Sequence, residues 1–257
     1  MYRHLEYDDV AAHVVRVRLN RPTAANALSA ALLAELDDAV ARIADDDEVH
    51  VWLLTGAPRQ DGRPCFSAGA DLKEALDPKA GPYARAAALV TAIEDLPKPS
   101  IALIDGVCTT GGLELALACH LRIAADTARL SDWHLLRTGL GIGQWGMAAR
   151  LARLVGTDRA RELILLGTEL DGERAERIGL VNRVVPTGEL DSAGLEWAVR
   201  IAALPRRGVR TTMEYLALQD GRSRAEALAL ADRAPALTGL VLRPFSDAAA
   251  RFQREKD

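Results

Sequence analysis

Apolar residues along this chain recur at two spacings: every second position in short runs, and every third or fourth in longer ones. His13–Leu19 alternates apolar with polar and predicts a strand. Ser29 then stands as the N-cap of a helix whose Leu32, Leu33, Leu36, Val40 and Ile43 share a face, and the acidic run Asp45–Asp47 ends it. Val49–Leu54 predicts a second strand, and a loop rich in Gly and Pro runs from Gly56 to Pro64. A helix from about Pro82 to Leu96 is stopped by Pro97 and Pro99. Ser100–Cys119 reads as a short apolar strand, a turn of small residues and a helix. Leu121–Ala125 and Ala128–Leu130 predict short strands, and Thr138–Gly146 is a glycine-rich connection. Helices follow over Met147–Val155, Asp158–Leu166 and Glu173–Ile178, with a last strand at Val181–Val185. From Glu189 onward the pattern is helical throughout. The expectation is an α/β core over residues 1–186 and a helical region over 187–257, with no low-complexity linker between them.

Composition narrows the class. A chain of 257 residues that is 49 % apolar can build a sizeable core. A formal net charge of -4 gives no basic surface for nucleic acid. Cys65, Cys108 and Cys119 show no metal-ligand spacing, and their odd number suggests a reducing compartment. The first residues carry no apolar signal region and no run reaches the length of a membrane span, so the expected location is the cytoplasm.

The candidate chemistry lies in two turns of small residues. Gly111 and Gly112 open the helix after the central strand, where free N–H groups and the helix dipole suit an oxygen carrying negative charge. Glu114 lies one turn further on, a carboxylate inside an otherwise apolar run. Ser67-Ala68-Gly69-Ala70-Asp71 repeats the design, so the N–H groups of Ala70 and Gly111 could meet on one oxygen and stabilise an enolate or a tetrahedral intermediate. Two other matches carry less. Cys65–Gly69 lacks the first glycine of the serine-hydrolase elbow, which leaves Ser67 a structural residue. Gly141–Gly146 has the letters of a dinucleotide fingerprint, but no strand precedes it and Trp145 is bulky.

Taken together, Arg21-Pro22 with Asn26-Ala27-Leu28, Phe66–Leu72, Gly106-Val107 with Gly111–Ala116, and Gly179–Val185 resemble the enoyl-CoA hydratase/isomerase (crotonase) superfamily, in its order and over nearly the whole chain. The resemblance implies a spiral of repeated ββα units and a C-terminal helical region that builds homotrimers, often paired as hexamers. It implies an acyl-CoA thioester as substrate, with coenzyme A as part of that substrate and with no metal or separate cofactor. By that likeness Ala70 and Gly111 form the oxyanion hole, Ala25, Ala68, Ala70, Asp71, Leu72 and Gly111 contact the acyl-CoA, and Glu114 is the first of two catalytic glutamates. Phe252 and Lys256 would approach a neighbour's CoA. The chain departs from the pattern at the second glutamate. Counting from Ala128 places His134 there, and counting back from Gly139 places Leu135, with Asp132 nearby. A histidine suits proton transfer, since its unperturbed pKa of about 6.5 lies near neutrality. The leading expectation is therefore an enoyl-CoA hydratase using Glu114 and His134. Isomerisation, thioester hydrolysis, decarboxylation or acyl-CoA binding with little catalysis are the alternatives.

Overall fold

A computed structural model of the chain describes residues 1–75 and 84–240. It opens with two antiparallel strands, β1 (Leu5–Ala11) and β2 (Val14–Leu19), and the Ser29-capped helix α1 (Ala30–Asp45). The Ser29 hydroxyl accepts from Leu32 N at 3.2 Å, and the predicted apolar stripe of α1 is buried. Strand β1 was not legible in the sequence. It is an edge strand whose Glu6 and Asp8 are polar because they face Arg18 and Arg16 across the pair, at 3.0 and 3.3 Å.

Repetition follows. β3 (Val51–Gly56) and β4 (Cys65–Ser67) lead into α2 (Leu72–Ala75) and α3 (Ala84–Asp95). β5 (Ser100–Ile104) and β6 (Val107–Thr109) lead into α4 (Gly111–Ala118). β7 (Leu121–Ala125) and β8 (Arg129–Ser131) lead into α5 (His134–Thr138). In each round the first strand joins a six-stranded sheet of order β1-β2-β3-β5-β7-β10, and the second joins a smaller sheet of order β4-β6-β8-β9. Neighbours in both sheets run parallel apart from β1 with β2 and β8 with β9. The chain continues through α6 (Met147–Val155), α7 (Thr157–Leu166), β9 (Leu170–Asp171), α8 (Gly172–Arg177) and β10 (Arg183–Val185) to α9 (Leu190–Ala202).

The middle of the large sheet is buried on both faces, which is why β3 and β5 read as largely apolar runs. Trp52, Leu54, Ala102 and Ile104 face the main core, with Phe66, Leu115 and the α1 stripe. Val51, Leu53, Ile101 and Leu103 face the other way, onto Leu190, Ala193 and Ala198 of α9. After β10 the described chain is helical, and it divides into compact units of Met1–Ala203 and Leu204–Asp257, with α9 in the first because it covers a sheet face that would otherwise meet water. The second unit holds α10 (Arg206–Gln219) and α11 (Arg224–Leu237), and a Ser223–Glu226 capping box starts α11. Phe252 and Lys256 lie outside the described residues.

Candidate active site

β4 and β6 run side by side in the same direction, so the turns that follow them emerge together. Leu28 N donates to Gly69 O at 2.8 Å and Asp71 N to Leu28 O at 3.1 Å, which leaves the N–H of Ala70 facing away from both bonds. Ser67 is fully buried behind this turn, where its hydroxyl donates to Asn26 O at 2.9 Å and accepts from Gly69 N at 3.2 Å. It is a structural residue, as its sequence context suggested. Asn26 ties the same region, donating to Ala57 O and Cys65 O at 2.7 and 2.9 Å and accepting from Arg21 N at 2.9 Å. The Arg21–Leu28 motif thus anchors the Ala68–Leu72 turn.

The β6 turn reaches Gly111 through Thr110, whose φ of 49° is uncommon for a residue with a side chain. A β-carbon on Gly111 would stand 2.6 Å from Cζ3 of the Trp145 indole and 3.4 Å from the amide nitrogen of Ala70. Only glycine lets the indole lie over this amide, beside Ala70. Gly112 instead makes room for Ser67. Among the described residues, no protein acceptor takes the N–H of Ala70 or of Gly111. Both line a cavity of about 120 Å³ with Ala68, Leu72, Glu114, Trp133, His134 and Trp145.

Glu114 sits in the first turn of α4 and is 1 % exposed. Its Oε1 accepts from Trp145 N at 2.8 Å and from Met147 N at 3.1 Å, at the N-terminus of α6. The segment with the letters of a dinucleotide fingerprint is therefore a cradle for a carboxylate. Gly143 has φ +72°, and a β-carbon there would stand 2.4 Å from Glu114 Oε1. Oε2 is buried without a hydrogen bond among the described residues and faces His134 Nε2 at 3.6 Å. Burial pushes the Glu114 carboxyl above its ordinary range, against the two N–H donors and His134.

His134 opens α5 and lines the cavity, whereas Leu135 packs toward Gly141. His134 Nδ1 is 2.6 Å from Oδ1 of Asp132, whose side chain is fully buried. Burial disfavours the imidazolium, but the Asp132 hydrogen bond and the charges of Glu114 and Asp132 outweigh it and raise the His134 pKa. Sequence reasoning missed Arg137, whose guanidinium lies 4.7 Å from the centre of the Trp133 ring at the same cavity, and it missed Gln144. An exposed arginine on a five-residue helix carries no sequence signal of its own.

Ala68–Leu72 is a wall between two spaces. Ala68, Ala70 and Leu72 line the small cavity, while Asp71 lines a larger cleft of about 870 Å³ with Ala25, Arg21, Arg59 and Lys73. Arg21 Nη1 reaches Asp71 Oδ2 at 2.9 Å. Burial works to raise the Asp71 pKa, but this hydrogen bond and the Lys73 and Glu74 N–H groups hold it below its ordinary value. The structure thus gathers Ala68, Ala70, Leu72, Gly111, Glu114 and His134 at one cavity and sets Ala25 and Asp71 in the other.

Comparison with known proteins accords with this geometry. The family model for enoyl-CoA hydratase/isomerase matches residues 9–234. A short-chain-enoyl-CoA hydratase of Clostridium acetobutylicum is 37 % identical over 195 residues, which cover 74 % of this chain and 72 % of that protein. The crystal structure of an enoyl-CoA hydratase from Bacillus anthracis superposes with a TM-score of 0.88 at 33 % identity, covering 98 % of this chain and 97 % of that one. A monofunctional enoyl-CoA isomerase from M. smegmatis superposes at 0.74 with 32 % identity, covering 88 % and 98 %.

Proposed function

This chain belongs to the enoyl-CoA hydratase/isomerase family of acyl-CoA enzymes, and we propose that within it the protein adds water across the double bond of a 2-enoyl-CoA. The observation that carries this reading is the pair formed by Glu114 Oε2 and His134 Nε2, 3.6 Å apart at the cavity that Ala70 and Gly111 also line. Hydration moves two protons, one off water and one onto C2, and so needs an acceptor and a donor together. Moving a double bond along the chain needs one base that lifts a proton and returns it.

In this mechanism the N–H groups of Ala70 and Gly111 hold the thioester oxygen as the enolate forms, each worth on the order of 100- to 1,000-fold in rate. Glu114 Oε2 takes a proton from water as the water oxygen bonds to C3. Protonated His134 delivers its Nε2 proton to C2. The proton gained by Glu114 then returns to His134 through one water bridging the 3.6 Å between them, which resets the site. Substrate and water balance the reaction, so no cofactor enters. The larger cleft, with Arg21, Arg59 and Lys73, suits the phosphates of the CoA.

The test is to incubate the protein with a panel of 2-enoyl-CoA esters, without added cofactor, and weigh the products. A mass gain of one water supports hydration. Unchanged mass with a displaced double bond, release of free CoA, or loss of carbon dioxide would each replace it with isomerisation, hydrolysis or decarboxylation.

A further inference from the structure

One buried acidic group at the site has no part in the scheme above. Asp132 lies between β8 and α5, two residues before His134, and its side chain is fully buried. Its Oδ1 takes both the backbone N–H of His134 at 3.2 Å and the ring Nδ1 at 2.6 Å. Its Oδ2 is buried with no hydrogen-bond partner among the described residues. A carboxylate buried at such cost must interact strongly with what it does touch. A carboxylate oxygen only accepts, so the ring proton sits on Nδ1 and the opposite nitrogen, Nε2, is turned to Glu114. Three groups from two parts of the chain, Asp132 with His134 and Glu114, thus stand in sequence toward the cavity.

We propose that Asp132 is a positioning residue: it fixes the His134 tautomer and ring orientation, so that Nε2 is the nitrogen that gives and regains the proton. Its part in turnover rests on the hydration reading, whereas its hold on the tautomer does not. The charged groups that bear on His134 are Asp132 and Glu114, and both favour the imidazolium. Removing the Asp132 charge therefore lowers the His134 pKa, and a donor histidine then fails at lower pH.

The experiment uses the full chain with histidine labelled at both ring nitrogens, and compares wild type with Asp132→Asn. His134→Gln identifies the His134 signals. In wild type the neutral His134 ring carries its proton on Nδ1. In Asp132→Asn the signals move to an Nε2–H or mixed population and the His134 pKa falls. Turnover drops on the order of 100- to 10,000-fold, the range seen when a histidine loses its carboxylate orienter, KM changes little, and the basic limb of the pH–rate profile moves to lower pH. In the His134→Gln background, Asp132→Asn costs no more than about twofold, because Asp132 acts through His134 alone. An unchanged tautomer and His134 pKa in Asp132→Asn would overturn the proposal whatever the enzyme catalyses. So would an equal loss of turnover in both backgrounds, which marks a general structural role. Wild type that hydrates none of the esters but shows the Nδ1–H signature and its loss in Asp132→Asn would sink the hydration reading and leave the tautomer assignment standing.

Discussion

Replacing Glu114 by glutamine separates what this side chain does for the fold from what it does for the reaction. Glutamine has the same shape, and its carbonyl oxygen can accept from Trp145 N and Met147 N as Oε1 does. Its amide NH₂ then occupies the place of Oε2, 3.6 Å from His134 Nε2. Two charge-assisted hydrogen bonds become neutral ones, a loss of about 1 kcal/mol each. The desolvation cost of a buried carboxylate disappears with them, an offset of similar size. The melting temperature should therefore move by less than about 5 °C, since 1 kcal/mol shifts a domain of this size by about 2–4 °C. Turnover should fall by about 100- to 10,000-fold, or about 3–5 kcal/mol of transition-state stabilisation, because the amide cannot take a proton from water. KM should stay within about threefold, as the oxyanion amides and the CoA cleft are untouched. Steady-state kinetics on a 2-enoyl-CoA ester and a thermal melt measure both quantities. Turnover within threefold of wild type would refute the role of Glu114. A collapse of stability would instead refute the argument that the α6 cradle accepts a neutral oxygen.

Three further outcomes follow from the same structure. Gly143→Ala places a methyl 2.4 Å from Glu114 Oε1 in a backbone with φ +72°; strain of about 1–2 kcal/mol should lower the melting temperature by about 2–8 °C, and the displaced carboxylate should lower turnover by at least about tenfold; a stable, fully active variant would contradict it. Since the His134 pKa is raised on folding, its contribution to stability is fully present below 6.5, the ordinary histidine value, and is lost as pH rises through the folded value; the stability of wild type relative to His134→Gln in urea unfolding should decline over that window, and a rising difference would reverse the assignment. Leu216, Leu218, Leu228 and Leu237 of the second unit are exposed, and burying them between three copies predicts a trimer in analytical ultracentrifugation, against which a stable micromolar monomer would count.

How far the sequence discloses this molecule depends on what each residue's neighbours are. α1 is legible because its cap and its stripe are local: Ser29 reaches Leu32, and the five buried aliphatics repeat on one face. β3, β5 and β7 are legible because two buried faces make them mostly apolar, with Thr55, Ser100 and Arg122 as their polar residues. β1 is hidden, since its acidic residues are matched only by arginines of the next strand. β9 is hidden because two residues are too few to show a period, and β6 because Val107–Thr109 merges with the small-residue turn before Gly111. That α9 packs on the sheet is illegible, because it depends on Leu103 and its neighbours, about ninety residues earlier in the chain.

The site divides along the same line, and the division bears on its chemistry. Glu114 stands out as a carboxylate in an apolar run, so desolvation alone draws attention to it. What makes that carboxylate usable is illegible: Gly143, Trp145 N and Met147 N form its cradle from a segment whose letters suggest a nucleotide loop. Backbone donors have no residue type, and a helix start that binds a phosphate is physically suited to a side-chain carboxylate as well. The same holds for His134. Counting leaves it level with Leu135, and no count shows Asp132, which takes both the backbone and the ring N–H of the histidine and so turns the ring toward Glu114. Two glutamates facing each other would repel when both are ionised. A glutamate facing a histidine can exchange one proton without ever placing two like charges side by side, and one bridging water or a small side-chain movement closes the 3.6 Å gap to transfer distance. The departure from two glutamates therefore leaves hydration with both the acceptor and the donor it requires.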